Sequence, residues 1–206
     1  RDSSTSRGLG DVYKRQTIMK ELAKRNLVKY IKLVETGSVA MEKLIKSCDV
    51  DIALIGSVKP KLDNTLKNRI LDTDEFMVCI SRDSILSKRD KIDFMELANQ
   101  KFITLGDGYV HNHVLKILCK RNNISTDDFY YTDEIQTAKS LTASGLGVSL
   151  MVSKSVRDMD SIKAIHLNDS ITFYISIAFK KNHYITSVER NIVDTILTSS
   201  KKFNKV

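Results

Sequence analysis

Residues 136–151, QTAKSLTASGLGVSLM, contain the strongest single indication of the fold. The stretch predicts a helix that ends at Gly145, turns through Gly147 and continues into a buried apolar strand. Gly145 can adopt the left-handed conformation that closes a helix, and Gly147 allows the next strand to lie close to neighbouring backbone. A helix joined so tightly to a buried strand is typical of α/β proteins, in which helices cover a parallel sheet.

From Thr17 onward, helix and strand patterns alternate. Ser38 follows a Thr-Gly turn and is predicted to be the N-cap of a helix. Residues 1–16 are polar and aperiodic, and we interpret them as an artefact-like or disordered segment outside the fold. The predicted helices are 17–26, 38–45, 94–97, 109–121, 136–144 and 186–197, and the predicted strands are 28–34, 50–55, one or two within 70–80, 101–105, 129–132, 148–151 and 171–179, with weaker alternation over 162–167.

Composition indicates an ordinary globular protein. The chain has 206 residues, 42% of them hydrophobic, and a net charge of +8 carried by scattered lysines. Such scatter favours a solvated basic surface over a nucleic-acid-binding face. No stretch approaches the roughly 20 apolar residues that cross a membrane, and the polar start offers no signal-peptide core. We therefore expect a cytoplasmic protein without membrane contact.

The three cysteines, Cys48, Cys79 and Cys119, are odd in number and far apart. This spacing disfavours a disulfide framework or a zinc site, so no metal and no cofactor are predicted. Cys79 lies in an apolar run and is expected to be a small core residue. A redox-sensing role would require an accessible thiolate.

Four pieces of the sequence, in this order, resemble the effector-binding domain of LysR-type transcriptional regulators. The resemblance covers about residues 17–200, and its strongest parts are VDIALI and the Ser-Gly-Leu-Gly-Val turn. The pieces are LVETGSVAMEKLIKSCDVDIALI, ILDTDEFMVCISRDSIL, IDFMELANQKFITLGDGY and TDEIQTAKSLTASGLGVSLMVSKSV.

The resemblance implies an α/β, two-lobed periplasmic-binding-protein-like type II fold with mixed sheets flanked by helices. Lobe I would comprise residues 17–76 and 170–206, and lobe II residues 77–169, with a small effector in the cleft between them. Such regulators begin with a winged helix-turn-helix and a linker helix, and we find neither here. Because residues 1–16 also occupy the place of the first lobe I strand, we interpret the chain as a fragment.

The resemblance also implies an effector site made of small hydroxyls, backbone N–H groups and helix N-termini. The matching residues are Ser38, Thr104, Gly106, Gln136 and Ser140. Four of them have a plainer interpretation: Ser38 as a helix cap, Thr104 and Gly106 as an ordinary turn, and Ser140 as a surface residue. Asp107 would disfavour an anionic effector, unless it is a solvent-facing N-cap. No arginine occurs near Gly56 and Ser57, where some family members hold a carboxylate.

Catalytic motifs are not found. His111 and His113 stand two residues apart on a predicted helix, a spacing that puts them on different faces, so we interpret both as surface residues. We predict no enzyme and no catalytic residues.

The leading hypothesis is the ligand-sensing domain of a LysR-type regulator, which binds a small metabolite to control transcription. It would contact DNA only through a missing N-terminal domain and would work as a homodimer or tetramer in the full-length protein. The alternative is a transporter solute-binding protein of the same fold. The identity of the effector, the target genes and the sign of regulation are left open.

Overall fold

The computed structural model describes residues 9–182 and 184–200. The chain forms two compact units: the first is built around Glu75–Ile171, and the second consists of Val12–Asp74 and Thr172–Val206. The helices are α1 (Leu9–Lys24), α2 (Ser38–Ser47), α3 (Val110–Arg121), α4 (Ile135–Ala143), α5 (Ser153–Val156) and α6 (Ser187–Ser200), and the strands are β1 (Ile52–Ser57), β2 (Leu66–Ser81), β3 (Lys91–Ile92), β4 (Phe102–Leu105), β5 (Tyr130–Thr132), β6 (Val148–Val152) and β7 (Ile162–Lys180).

In the second unit, the predicted apolar faces of α1 and α6 meet in one core cluster. Ile18 and Leu22 of α1 are buried there with Ile192, Val193 and Ile196 of α6. Both helices therefore exist because an amphipathic face is covered. Helix α1 begins at Leu9, within the segment that the sequence set apart, and residues 1–8 lie outside the described residues.

The predicted strand over residues 28–34 is wrong. The chain instead makes a 3₁₀ turn, Val28–Tyr30, and then continues without regular structure to Gly37. Tyr30 and Leu33 are 58% and 66% exposed. The apolar residues of this segment favour a strand only if a neighbouring strand covers and pairs with them, and in the described part of the chain none does.

In the first unit, the helix-to-strand junction forms as predicted. Gly145 has a φ of 75°, and a Cβ on Gly147 would collide with the Lys101 carbonyl oxygen. The Val148 N–H donates to that carbonyl at 2.8 Å. Strand β4 then pairs in parallel with both β5 and β6, while β2 pairs antiparallel with β6, so the sheet is mixed.

Strands β2 and β7 are long, and each passes from one unit into the other. The two segments expected at 162–167 and 171–179 are parts of the single strand β7. Strand β1 runs antiparallel to the end of β7, with Ile52 opposite Phe179. The strand order is β1-β7-β2-β6-β4-β5, and β3 pairs with β7. Among the described residues, no helix has the length and apolarity needed to span a membrane.

Candidate functional site

Four of the five predicted site residues lie in the first unit, on β4, on the loop after it and on α4. Because β4 and β5 are parallel neighbours, their carboxyl ends lie at the same edge of the sheet. Helix α3 follows β4 and helix α4 follows β5, so both helices begin at this edge. Neither helix has a side-chain hydrogen bond at its N-cap residue. This edge is where ligands bind in open α/β sheets.

The end of β4 is closed by backbone hydrogen bonds and a carboxylate. The Gly106 N–H donates to the Thr132 carbonyl at 3.1 Å, which joins the ends of β4 and β5. A Cβ on Gly106 would lie 2.5 Å from Oδ1 of Asp133. Gly106 is thus half-buried beneath an exposed carboxylate, whereas Thr104 is only 3% exposed. A ligand at this edge can touch Gly106 directly, but it cannot reach Thr104 unless its neighbours move.

Asp107 is neither an N-cap nor an uncompensated charge. The N-cap of α3 is Tyr109, and the Asp107 carboxylate accepts a hydrogen bond from the Lys116 ammonium at 2.7 Å. This contact lowers the pKa of Asp107, so the carboxylate is ionised and paired at neutral pH. The argument that Asp107 disfavours an anionic effector therefore loses most of its force.

Helix α4 presents Gln136 and Ser140 one turn apart. Gln136 is half-buried and Ser140 is exposed, so both side chains are open to a ligand. The opposite face of the helix is buried and includes Ala138, Lys139 and Thr142. Thr142 donates to Ser149 of β6 at 2.9 Å, which holds α4 against the sheet.

Lys139 is a buried cation that the sequence analysis did not identify. Its side chain is 0% exposed, and its ammonium donates to the Ser155 carbonyl at 2.6 Å. Burial and, to a smaller extent, the charge of Lys139 lower the pKa of His111 to about 4. Burial also raises the pKa of Cys79 to about 12, despite the opposing effect of Lys139. Interior charge is costly, and such groups mark functional sites more often than surface lysines do.

The burial of these residues tests two predictions made from the sequence, one for Cys79 and one for His111 and His113. Cys79 is 0% exposed, as expected for a core residue, and its thiol is neutral. His111 is half-buried and not fully exposed: its ring packs edge-on against Phe76 with the centroids 5.3 Å apart. His113 is exposed. No group of three or more possible metal-ligating side chains occurs within residues 9–182 and 184–200.

The fifth predicted residue, Ser38, lies in the second unit. Gly37, not Ser38, is the N-cap of α2, so the capping prediction is wrong by one residue. The Ser38 hydroxyl oxygen instead accepts a hydrogen bond from the Gly56 N–H of β1 at 2.9 Å. Ser38 therefore ties the start of α2 to the end of a strand.

Asn112, in the first turn of α3, is a second residue that the sequence analysis missed. It is 1% exposed, and its amide donates to the Leu105 carbonyl at 2.6 Å. A polar residue between the apolar positions Val110 and Val114 was the available signal. Lys139 gave a weaker signal, since a lysine in a helix is usually exposed.

Comparisons with known proteins agree on one class. The family model of the LysR substrate binding domain matches residues 18–201. The malolactic fermentation system transcriptional activator of Lactococcus lactis subsp. lactis (strain IL1403) is 25% identical over 177 residues, which are 84% of this chain and 60% of that protein. The uncharacterized HTH-type transcriptional regulator YybE of Bacillus subtilis (strain 168) is 26% identical over 167 residues, 81% of this chain and 56% of its own. The chain thus spans somewhat over half the length of these relatives.

Solved structures show the same fold. The effector binding domain of QuiR in complex with shikimate has a TM-score of 0.69 at 21% identity, covering 89% of this chain and 90% of that one. The Synechocystis PCC6803 CcmR regulatory domain in complex with 2-PG has a TM-score of 0.72 at 14% identity, covering 91% and 93%. The predicted fold class, a mixed α/β fold of the periplasmic-binding-protein type II kind, is confirmed.

The architecture and the regulators that match it define a ligand-sensing α/β domain. More specifically, this chain belongs to the LysR substrate-binding domain family. The resemblance read from the four sequence pieces is confirmed, and the matching relatives are transcriptional regulators, not transporter proteins.

Proposed function

We propose that this chain senses a small metabolite for a LysR-type transcriptional regulator and binds it at the carboxyl ends of β4 and β5. Gly106, Gln136 and Ser140 would contact the metabolite, and Thr104 would shape the strand end from inside. The DNA contact would belong to an N-terminal helix-turn-helix domain outside this sequence. The full regulator would be a cytoplasmic homodimer or tetramer without catalytic activity.

The observation that carries the proposal is the convergence of two uncapped helix starts on one sheet edge. Helices α3 and α4 both begin there, and their first N–H groups have no side-chain cap. The N-terminus of a helix favours negative charge, because its N–H groups and its dipole point toward a ligand. With Asp107 paired to Lys116, a carboxylate-bearing metabolite suits this edge when the exposed Asp133 carboxylate that covers Gly106 turns away.

The alternative, a transporter solute-binding protein, is not supported by any feature of the described residues. Its fold is the same, but the family model and the regulator relatives point to transcriptional control. In a regulator, the metabolite would act by binding one conformation of the domain more tightly than another.

Calorimetric titration of the 206-residue chain with small carboxylic acids tests the proposal. The panel would include shikimate and 2-PG, the ligands of the two structural neighbours, together with simple mono- and dicarboxylates. We expect at least one acid to bind with a Kd below about 1 mM, and Gln136→Ala to weaken that binding about fivefold or more, as for a lost hydrogen bond.

Gln100→Ala is the matched control, because Gln100 is an exposed glutamine that precedes β4, on the side opposite to the carboxyl ends where the metabolite would bind. It should bind like the wild type. An absence of binding across the panel, or equal weakening by both substitutions, would contradict the proposed function.

A further inference from the structure

Asn112 is a buried polar residue in the first turn of α3, the helix that follows β4. It is 1% exposed and lies among buried apolar residues of the same helix. Burying a side-chain amide is unfavourable unless both its oxygen and its nitrogen form hydrogen bonds. Both the oxygen and the nitrogen of the Asn112 amide are therefore expected to have hydrogen-bond partners.

One end of the amide is fixed. Nδ2 donates to the carbonyl oxygen of Leu105 at 2.6 Å, and Leu105 is the last residue of β4. The reverse orientation would place Oδ1 against another acceptor, so the positions of the nitrogen and the oxygen are unambiguous. The amide is thus anchored to the residue that immediately precedes Gly106.

The other end of the amide is an acceptor that has no hydrogen-bond donor. Asn112 Oδ1 is buried, and none of the residues that the structure describes donates to it. Leaving a buried acceptor unsatisfied is costly, and natural proteins retain few such groups without a functional reason. Because Nδ2 is bonded to the last residue of β4, the acceptor lies close to the strand end assigned to the effector, and, as for Thr104, a ligand reaches it only when neighbouring residues move.

The surroundings indicate what kind of donor fits. The start of α3 carries positive potential from the helix dipole, and the buried ammonium of Lys139 already opposes protonation of the adjacent His111. A second cation at this place would be repelled, whereas a hydroxyl group donates a hydrogen bond without bringing charge. A neutral donor on an otherwise anionic metabolite satisfies both requirements.

We propose that Asn112 Oδ1 accepts a hydrogen bond from a hydroxyl group of the effector, so that the domain selects hydroxylated carboxylic acids over their deoxy analogues. This inference rests on the proposed function, because it assigns a specificity-determining residue to the same site. A site built to hydrogen-bond a hydroxyl rejects the analogue that lacks it, since the buried acceptor is then left unpaired.

Calorimetric titration with matched pairs tests the inference. L-malate and succinate differ by one hydroxyl, and shikimate is compared with 1-cyclohexenecarboxylate, which lacks the ring hydroxyls. We expect the wild-type chain to prefer the hydroxylated member of at least one pair by about tenfold or more. Asn112→Ala should reduce the preference to about twofold by weakening only the hydroxylated acid.

Asn122→Ala is the control, because Asn122, at the opposite end of the same helix, also donates its amide to a carbonyl, that of Leu118 at 2.8 Å. It should keep the tenfold preference. If Asn112→Ala does not fold, as judged by circular dichroism, Asn112→Gln replaces it. Glutamine keeps the amide oxygen and nitrogen but displaces them by one methylene, so the preference should again be lost.

The titrations distinguish a failure of the role assigned to Asn112 from a failure of the proposed function. Equal binding of both members of each pair to the wild type, or a preference that survives in the Asn112 variants, overturns the role of Asn112 and leaves the proposed function intact. Failure of all acids to bind the wild type overturns the proposed function, and the inference about Asn112 falls with it.

Discussion

Strand β1 of the second unit and strand β4 of the first unit both have a glycine near their carboxyl end and a helix start beside it. At β1, the Ser38 hydroxyl of α2 accepts from the Gly56 N–H; at β4, the Asn112 amide of α3 donates to the carbonyl before Gly106. Two helices are thus tied to strand ends by first-turn side chains instead of being capped. The two ends differ in what covers the glycine: the ring of Phe173 lies over Gly56, and the carboxylate of Asp133 over Gly106.

Because of this difference, the side chain that covers the glycine can move away at the end of β4 but not at the end of β1. Phe173 is 7% exposed and belongs to the interior, so its ring cannot leave without opening a cavity. Asp133 is exposed, and its carboxylate can turn toward water or give way to a ligand. The end of β4 is therefore the better place for a metabolite to bind, although at both strand ends a first-turn side chain of a helix is bonded to the strand backbone.

The largest expected effect comes from filling the space at β1. Gly56→Ala places a Cβ against the Phe173 ring, closer than real Cβ atoms approach. Overpacking of a buried site typically costs about 1–3 kcal/mol, and we expect the upper part of this range in the free energy of unfolding measured with urea. In the double variant with Phe173→Leu, the effect of the alanine should become smaller. A loss below about 0.5 kcal/mol in the single variant would show that the ring moves freely.

The second prediction uses the titratable group that distinguishes the two helix starts. His111 lies in the first turn of α3, whereas the first turn of α2, Ser38 to Ala40, contains no titratable side chain. Burial lowers the pKa of His111 from 6.5 to about 4, so between these values the unfolded chain binds a proton that the folded chain refuses. Stability must therefore fall as the pH drops from about 6.5 toward 4, by about 2 kcal/mol between pH 7.5 and pH 5.

Urea unfolding at pH 7.5 and pH 5 measures this change. His111→Gln should remove most of the pH dependence, and the exposed His113→Gln should retain it. An identical pH dependence in wild type and His111→Gln would mean that the pKa of His111 is the same in the folded and the unfolded chain.

Sequence reasoning predicted the regular parts of the fold because their apolar residues are covered locally. The Gly145–Gly147 junction, helix α6 and strand β4 follow from periodicity and glycine chemistry alone. It was wrong at residues 28–34, because a strand also depends on a pairing partner that composition does not reveal. At the site, Gly106 was proposed from the family resemblance, whereas Lys139 and Asn112 were missed, since burial of a polar side chain is decided by tertiary packing.

The smallest expected effect is at the second glycine, and it tests the comparison most sharply. In Gly106→Ala, the new Cβ would lie 2.5 Å from Asp133 Oδ1, but that carboxylate is exposed and can rotate away. We expect a loss below about 1 kcal/mol in urea unfolding, which Asp133→Ala should abolish in the double variant. A loss as large as that of Gly56→Ala would mean that Asp133 is held as firmly as Phe173. The end of β4 would then be a closed structural joint, and the assignment of the metabolite to this edge would lose its physical basis.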